Sequence, residues 1–164
     1  MASTIEIIKC TGAGKTEASV SSIALKSTDD STQTASESPL LILASGSNYS
    51  YESWIRFKMT VLDGACSNFQ IWSPGDTLQS GNFKITVNTT AVVDGSYAAP
   101  VDTQSAKGTR ADFKDRDSAS KIAIAGTLSA VGQSTDFAVF QGVVFDTAIP
   151  GSIQDTCFYS YDEA

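Results

Sequence analysis

Carboxylates are the most plentiful chemically active side chains of this sequence, which has 18 Asp and Glu residues and no histidine. The lack of histidine excludes Ser-His-Asp and Cys-His catalysis and histidine-ligated metal sites. Asp112, Asp115 and Asp117 could suggest a calcium loop, but Ala119 stands where the next oxygen ligand belongs. We therefore predict a solvated charged turn there and no metal site.

Other motifs that could indicate catalysis or nucleotide binding lack the required spacing or the required environment. The segment Gly12–Thr16 ends like a phosphate loop, but Lys9 occupies the position of that loop's first glycine. A serine–lysine nucleophile needs a buried lysine, and the pattern places the lysines on polar faces or in loops. Asp29 and Asp30 lie in a polar stretch with no apolar surroundings to raise a pKa. A glycosidase working with carboxylates alone is the enzyme class left open. We predict no enzyme activity and no cofactor.

The two tryptophans, Trp54 and Trp72, allow two interpretations. Flat aromatic rings exposed on a sheet could stack on the sugar rings of a glycan. A cross-strand tryptophan pair under a neighbouring loop is an ordinary way to stabilise a sheet, and we favour that interpretation.

The charge balance argues against nucleic acid as a partner, because the net charge is -7 and the 11 basic residues are scattered. The densest basic set is interleaved with aspartates that largely cancel it; its members are Lys107, Arg110, Lys114, Arg116 and Lys121. Cys10, Cys66 and Cys157 are dispersed and odd in number, which favours buried thiols over a disulfide framework. The N-terminus does not resemble a signal peptide, and no apolar run has the length of a membrane helix.

Period-two alternation is clearest between Tyr49 and Ser73. Ile55, Phe57, Met59 and Val61 alternate with polar residues, and Phe69 and Ile71 do the same after an Asp63-Gly64 turn signal. We predict an antiparallel hairpin with a loop over 62–64 and Gly64 in a left-handed conformation. That register pairs Phe57 with Phe69 and places Trp54 opposite Trp72 on a charged outer face.

Further strands are predicted in the segments 4–10, 18–25, 40–44, 82–88, 121–127, 136–145 and 153–161. The segment 136–145 is apolar on both faces and therefore belongs at the centre of a sheet, and 40–44 has the same character. About nine strands without helical periodicity predict a single domain, 1–164, that is an all-β, two-sheet antiparallel β-sandwich of jelly-roll or immunoglobulin-like type.

Two long stretches lack periodicity. We predict an exposed, mobile loop over 26–38, which is polar and has no apolar anchor. The irregular loop 89–120 is expected to contact a partner, because long loops inside compact domains are often functional. We also expect that removal of Lys107 to Lys121 would leave a folded protein.

Two segments resemble a family of small structural proteins of tailed bacteriophages. Ser50–Lys58 (SYESWIRFK) followed by Ser67–Trp72 (SNFQIW) is similar to the family's SYEKW-type strand and its SNxKxW-type partner. Phe158–Glu163 (FYSYDE) is similar to the family's terminal FxYxYDE. The match covers about 30 residues.

The resemblance implies a protein of the virion, made in the cytoplasm of a bacterial host, that decorates or cements the capsid without catalysis. The implied partners are the major capsid protein or other virion proteins, with self-association on the particle and no membrane contact. A head–tail neck or tail position and a virion-attached glycan-binding module are the alternatives. The candidate interface residues are Trp54, Trp72, Tyr97, Lys107, Arg110, Lys114 and Arg116.

Overall fold

The computed structural model describes residues 2–75, 82–151 and 156–164, and within these ranges the chain forms twelve strands. The strands are β1 (Thr4–Thr11), β2 (Thr16–Ser19), β3 (Ser47–Tyr49), β4 (Ser53–Val61), β5 (Cys66–Trp72), β6 (Phe83–Asn88), β7 (Val92–Val93), β8 (Arg110–Asp112), β9 (Ile122–Ile124), β10 (Gly132–Gln133), β11 (Asp136–Phe145) and β12 (Phe158–Glu163). Short 3-10 turns lie at Ala35–Glu37, Asp94–Ser96 and Phe113–Asp115. None of the helical turns in the described ranges is long and apolar enough to cross a membrane.

The strands form two antiparallel sheets. The larger sheet has the order β2-β1-β4-β11-β6-β8, with β3 and β7 pairing with β11 and β10 pairing with β4. The smaller sheet has the order β12-β5-β9. The predicted all-β fold with two antiparallel sheets is confirmed. The structure has more strands than were predicted because several strands have only two to four residues. Such short strands show no recognisable alternation in the sequence.

The predicted hairpin of β4 and β5 is wrong. β4 pairs with β1 on one side and with β11 and β10 on the other, whereas β5 pairs with β12 and β9. The chain between them therefore crosses from one sheet to the other. Alternation shows which residues of a strand share a face, but it does not show which strand lies beside them.

The main core lies between the two sheets. Phe57 of β4 and Phe69 of β5 are in contact, but not as the predicted cross-strand pair: their rings stack face to face across the sandwich, with centroids 4.9 Å apart. Ile55, Met59 and Ile71 are buried in the same cluster. The predicted inward residues of both strands are therefore buried except Val61, which is 48% exposed, although the strands themselves are not neighbours.

Gly64 has a different role from the one predicted. Its φ angle is not positive, and a Cβ atom at this position would lie 2.2 Å from the carbonyl oxygen of Ala164. The glycine is needed because the end of the chain crosses directly over it. The left-handed residue of β5 is instead Asn68, with φ 54°, at an irregularity in the pairing of β5 with β12.

The remaining strand predictions succeed where a strand is buried on both faces. β11 spans the predicted residues 136–145 and lies between β4 and β6. The prediction over 40–44 is wrong, since this segment is not a strand and Leu41 is 68% exposed. The second strand ends at Ser19, because the chain after Val20 turns away from β1. Of the predicted strand 153–161, residues 153–155 lie outside the described residues, and β12 extends to Glu163.

Both predicted loops are attached to the sheets. In the first, Lys26 is buried and its carbonyl oxygen accepts the backbone N–H of Tyr51 at 3.0 Å, and the carboxylate of Asp29 accepts the backbone N–H of Gly12 at 2.7 Å, so the segment does have anchors. In the second, Phe113 is buried in the main core with its ring 5.0 Å from that of Phe140, and β8 pairs with β6. Removal of residues 107–121 would take away a core side chain and a strand, so we now expect that deletion to unfold the protein.

The Phe57–Phe69 stack predicts a large effect of truncation. Phe57→Ala should lower the free energy of unfolding by about 3–5 kcal/mol, because it leaves a cavity between the two sheets. Ile149→Ala is the control, since this side chain is 83% exposed and its loss should change stability by less than about 0.5 kcal/mol. Urea unfolding followed by circular dichroism measures both values, and equal effects of the two substitutions would contradict the assignment of the core.

Candidate protein-binding surface

The seven candidate residues fall into two groups at different places. Trp54, Tyr97, Lys107 and Arg110 lie around the face of the larger sheet that points away from the main core. Trp72, Lys114 and Arg116 belong to the other group, and Trp72 ends β5 of the smaller sheet. The predicted pairing of Trp54 with Trp72 is therefore wrong.

Trp54 is the centre of a second, smaller core and is 0% exposed. Its ring lies 4.9 Å from that of Tyr97 and 5.4 Å from that of Phe137. Its Nε1 donates a hydrogen bond to Oε2 of Glu52 at 3.1 Å, and Nζ of Lys107 lies 5.6 Å from the centre of the ring. The glycan-stacking interpretation of Trp54 is incompatible with this burial.

Arg110 has a structural role rather than a place in an interface. Its guanidinium donates to the carbonyl oxygen of Val139 at 2.6 Å and to that of Thr86 at 3.0 Å. Burial lowers the pKa of Arg110 to about 10, which reflects how little water reaches it. The side chain is half-buried and ties β8 to the sheet beneath it.

A buried polar network fixes the segment that covers Trp54. Gln141 of β11 accepts a hydrogen bond from the backbone N–H of Ser105 at 2.9 Å and donates to the carbonyl oxygen of Thr103 at 2.8 Å. The hydroxyl of Ser105 donates to the buried carboxylate of Glu52. Buried polar groups must be satisfied, so these bonds hold the segment in one position on the sheet.

The second group forms part of an open surface. Trp72 is half-buried, its ring lies 5.9 Å from that of Phe158, and Nζ of Lys121 lies 4.1 Å from its ring centre. The backbone N–H of Ser73 donates to the carbonyl oxygen of Arg116 at 2.7 Å, which brings the 113–116 turn beside the tryptophan. We call Trp72, Arg116, Lys121 and Phe158 the Trp72 patch.

Two members of the Trp72 patch were not among the candidate residues. Phe158 is 44% exposed although it belongs to a strand. The sequence did contain a signal for it, because Tyr159 and Tyr161 alternate with Phe158 and point to the main core, as their contacts with Phe57 and Phe69 show. Lys121 could not be found in this way, because it precedes a strand of only three residues.

The acidic segment 112–117 is a hydrogen-bonded turn. The carboxylate of Asp117 accepts the backbone N–H groups of Ala119 and Ser120 at 2.9 and 3.1 Å, and these bonds lower its pKa. Lys114 forms an exposed ion pair with Asp115 at 2.6 Å. Within the parts of the chain that the structure describes, no group of three Cys, Asp or Glu side chains is arranged to hold a metal ion.

The prediction that the lysines lie on polar faces or in loops is wrong for Lys9, which is 2% exposed in β1; Lys26 does lie in a loop, but it is buried there. Burial lowers the pKa of Lys9, against the opposing effect of Asp29 and Asp30. The expectation for Asp29 is also wrong, because burial raises its pKa more than its bond from the Gly12 N–H lowers it. Alternation within β1 does not reveal that a loop covers Lys9.

Two of the three cysteines, Cys10 and Cys66, are free thiols. Cys10 and Cys66 are buried, and Cys157 is half-buried. Burial raises the pKa of Cys10 to about 11, so its reactive thiolate form is rare near neutral pH. Cys10 therefore acts as a small apolar side chain of the second core.

A charged network on the outer face of the larger sheet joins β2, β4 and the 94–96 turn. Arg56 is buried and forms ion pairs with Glu17 and, at 2.9 Å, with Asp94, which also pairs with Lys15 at 2.7 Å. The hydrogen bond from Lys15 chiefly lowers the pKa of Asp94. For Glu17, burial raises the pKa, but hydrogen bonds from Arg56 and Gln133 outweigh it and lower the pKa overall.

This network predicts acid-sensitive stability. The lowered pKa values of Glu17 and Asp94 in the folded state stabilise the protein above their unfolded values of about 4, and this contribution is lost as the pH falls through the folded values. Arg56→Met should therefore lower stability at pH 7 by about 1–3 kcal/mol and make the decline below about pH 4.5 shallower than in the wild type.

Thermal unfolding between pH 7 and pH 2.5 measures both effects. Lys114→Met is the matched control, because it removes a cation of an exposed ion pair and should leave the acid decline unchanged. An Arg56→Met curve parallel to that of the wild type would show that the network does not contribute to the acid sensitivity.

Comparison of the chain with protein-family models, with curated proteins and with solved structures finds no match. What the site can do must therefore be inferred from its own chemistry. The Trp72 patch offers aromatic surface, two basic residues and an adjoining strand edge. Aromatic and arginine side chains are enriched in protein interfaces, so this combination suits a protein partner.

Proposed function

We propose that the chain is a structural protein of a tailed-phage virion, which decorates or cements the capsid by binding a protein through the Trp72 patch without catalysis. The observation that carries the proposal is the position of the phage-like segments. Ser67–Trp72 belongs to β5 and Phe158–Glu163 is β12, and these strands pair with Phe158 beside Trp72. Ser67–Trp72 and Phe158–Glu163 thus belong to one sheet, whose outer face carries the patch, whereas the remaining phage-like segment, Ser50–Lys58, lies largely in β4 of the larger sheet.

The distribution of open surface supports a binding role for this face. The opposite side of the molecule is closed by the Trp54 core and its buried polar network. On the outer face of the smaller sheet, by contrast, Phe158 is 44% exposed beside the half-buried Trp72. Exposed aromatic residues grouped in this way are typical of interaction sites.

The charge of the patch gives the partner a preferred chemistry. Lys121 lies over the Trp72 ring and places a cation on this face of an otherwise acidic protein, whose net charge is -7. A partner surface with an apolar centre and carboxylates at its rim would complement it. The same net charge repels a nucleic-acid backbone, which is in keeping with a position on the outside of the particle.

The test is co-sedimentation of the purified protein with heads of its own phage that lack it. We expect stoichiometric binding by the wild type. Phe158→Ser and Lys121→Ser should each weaken binding at least tenfold, because they remove an aromatic anchor and a cation from the patch. Ile149→Ser is the matched control, since it removes an exposed apolar side chain from the loop after β11 and should bind like the wild type.

Each other outcome has a defined meaning. Wild-type protein that leaves heads unbound but binds tails or neck complexes would move the proposal to the head–tail neck or tail. Binding to heads that neither patch substitution weakens would rule out the Trp72 patch as the contact surface. Binding to neither particle would reject the virion function.

A glycan-binding module is the weaker alternative. It now depends on Trp72, because Trp54 is buried, and Nζ of Lys121 already lies 4.1 Å above the Trp72 ring. A cation in that position competes with a sugar for the ring face. Loss of glycan binding in a folded Trp72→Ala protein would support this alternative.

A further inference from the structure

Among the described strands, β12 has the longest edge that does not pair with another strand. It has six residues, pairs with β5 on one side, and has no described strand on its other side. The other terminal strands of the two sheets are β2 with four residues, and β8 and β9 with three each. Short edge strands are a common protection against pairing with another chain, and β12 lacks that protection.

β12 also lacks a bulge that would disrupt its outer edge. The irregular pairing between β5 and β12 places two residues of β5, Asn68 and Phe69, opposite Tyr161 alone. The extra residue is thus in β5, where Asn68 has φ 54°. The backbone of β12 remains regular, as a strand that accepts another strand must be.

The hydrogen bond at the end of the β5–β12 pair shows which backbone N–H and C=O groups of β12 point away from β5. The backbone N–H of Ala164 donates to the carbonyl oxygen of Ala65 at 3.0 Å. The backbone N–H and C=O groups of successive residues point to opposite edges of a strand. Those of the even-numbered residues of β12 therefore point to β5, and those of Tyr159 and Tyr161 point away from it. These groups are available to a second strand.

We propose that a second copy of the chain pairs antiparallel with the open edge of β12, about a two-fold axis at Ser160. This inference goes beyond the proposed virion function and does not depend on it. In this register Ser160 lies opposite Ser160 of the second copy as a non-hydrogen-bonded pair, and the outward groups of Tyr159 and Tyr161 form the bonds.

Side-chain chemistry favours a second copy in this register. On the core-facing side, Tyr159 of each copy lies opposite Tyr161 of the other, and aromatic cross-strand pairs stabilise sheets. On the outer side, Phe158 lies opposite Asp162 of the second copy. Lys121, held over the neighbouring Trp72, is then about two strand spacings, or roughly 10 Å, from that carboxylate.

The charges at the two ends of the β12 edge are therefore complementary under the two-fold rotation. Its Phe158 end is basic through Lys121, and its other end is acidic through Asp162 and Glu163. Antiparallel pairing brings unlike ends together twice in each dimer, whereas parallel pairing would bring like ends together. The outer faces of both copies point to the same side, so the six-stranded sheet presents two Trp72 patches together.

The first experiment is sedimentation equilibrium of the purified protein without phage particles. We expect a concentration-dependent dimer. Asp162→Lys and Lys121→Glu should each weaken dimerisation about fivefold or more, because each substitution creates two like-charge contacts. The double variant Asp162→Lys/Lys121→Glu should restore the wild-type dimer, since it exchanges the two signs. Glu37→Lys is the control for the change in net charge and should not affect dimerisation.

The second experiment tests the position of the axis. In a Cys157→Ser background, Ser160→Cys should form a disulfide-linked dimer on mild oxidation, because cross-strand Cβ atoms of such a pair are about 4.5–5.5 Å apart. Ser96→Cys, exposed on the opposite side of the molecule, should form no disulfide-linked dimer. A monomer at all concentrations, a double variant that stays weakened, or equal cross-linking of the two cysteine variants would overturn the proposal.

Discussion

The burial of β4 on both faces is the constraint on which the rest of the structure depends. Ile55, Phe57 and Met59 point into the main core, while Trp54 and Arg56 are buried on the opposite face. A strand of this kind must lie inside a sheet and be covered from both sides. The smaller sheet covers one face, and the irregular stretch around Tyr97 and Ser105 covers the other.

This double cover gives the two sides of the molecule different characters. On the larger sheet, the covering segment is attached by buried hydrogen bonds to Gln141 and Glu52 and by ion pairs to Arg56. The outer face of the smaller sheet has no comparable cover in the described residues, and its aromatic side chains are left partly in solvent beside an open strand edge.

Much of the fold was predictable from the sequence because a strand buried on one face shows apolar and polar residues in period-two alternation. Alternation identified the inward residues of β4 and β5 except Val61, and a continuous apolar run gave the full extent of β11. Strand neighbours were not predictable, because β4 and β5 are close in the chain but belong to different sheets. Asp63-Gly64 suggested a hairpin turn, yet the glycine serves the close passage of Ala164, a contact 100 residues away.

The candidate site was predicted only in part for a related reason. Trp72 and Arg116 were chosen for residue type and do lie side by side, but Trp54, Tyr97 and Arg110 were chosen for the same reason and are structural. Residue type does not distinguish an aromatic or basic side chain beneath a loop from one in solvent. Lys9 is a further example, because it belongs to a strand with ordinary alternation and is nevertheless buried beneath a loop.

Hydrogen–deuterium exchange of the protein, free in dilute solution and bound to its particle, tests most directly the claim that the smaller sheet carries the interaction surface. We predict that binding slows exchange in peptides covering 156–164 and 114–121, while peptides covering 94–107 exchange equally slowly in both states. Protection confined to 94–107, with the amides of β12 unchanged, would contradict the account and place the partner on the larger sheet.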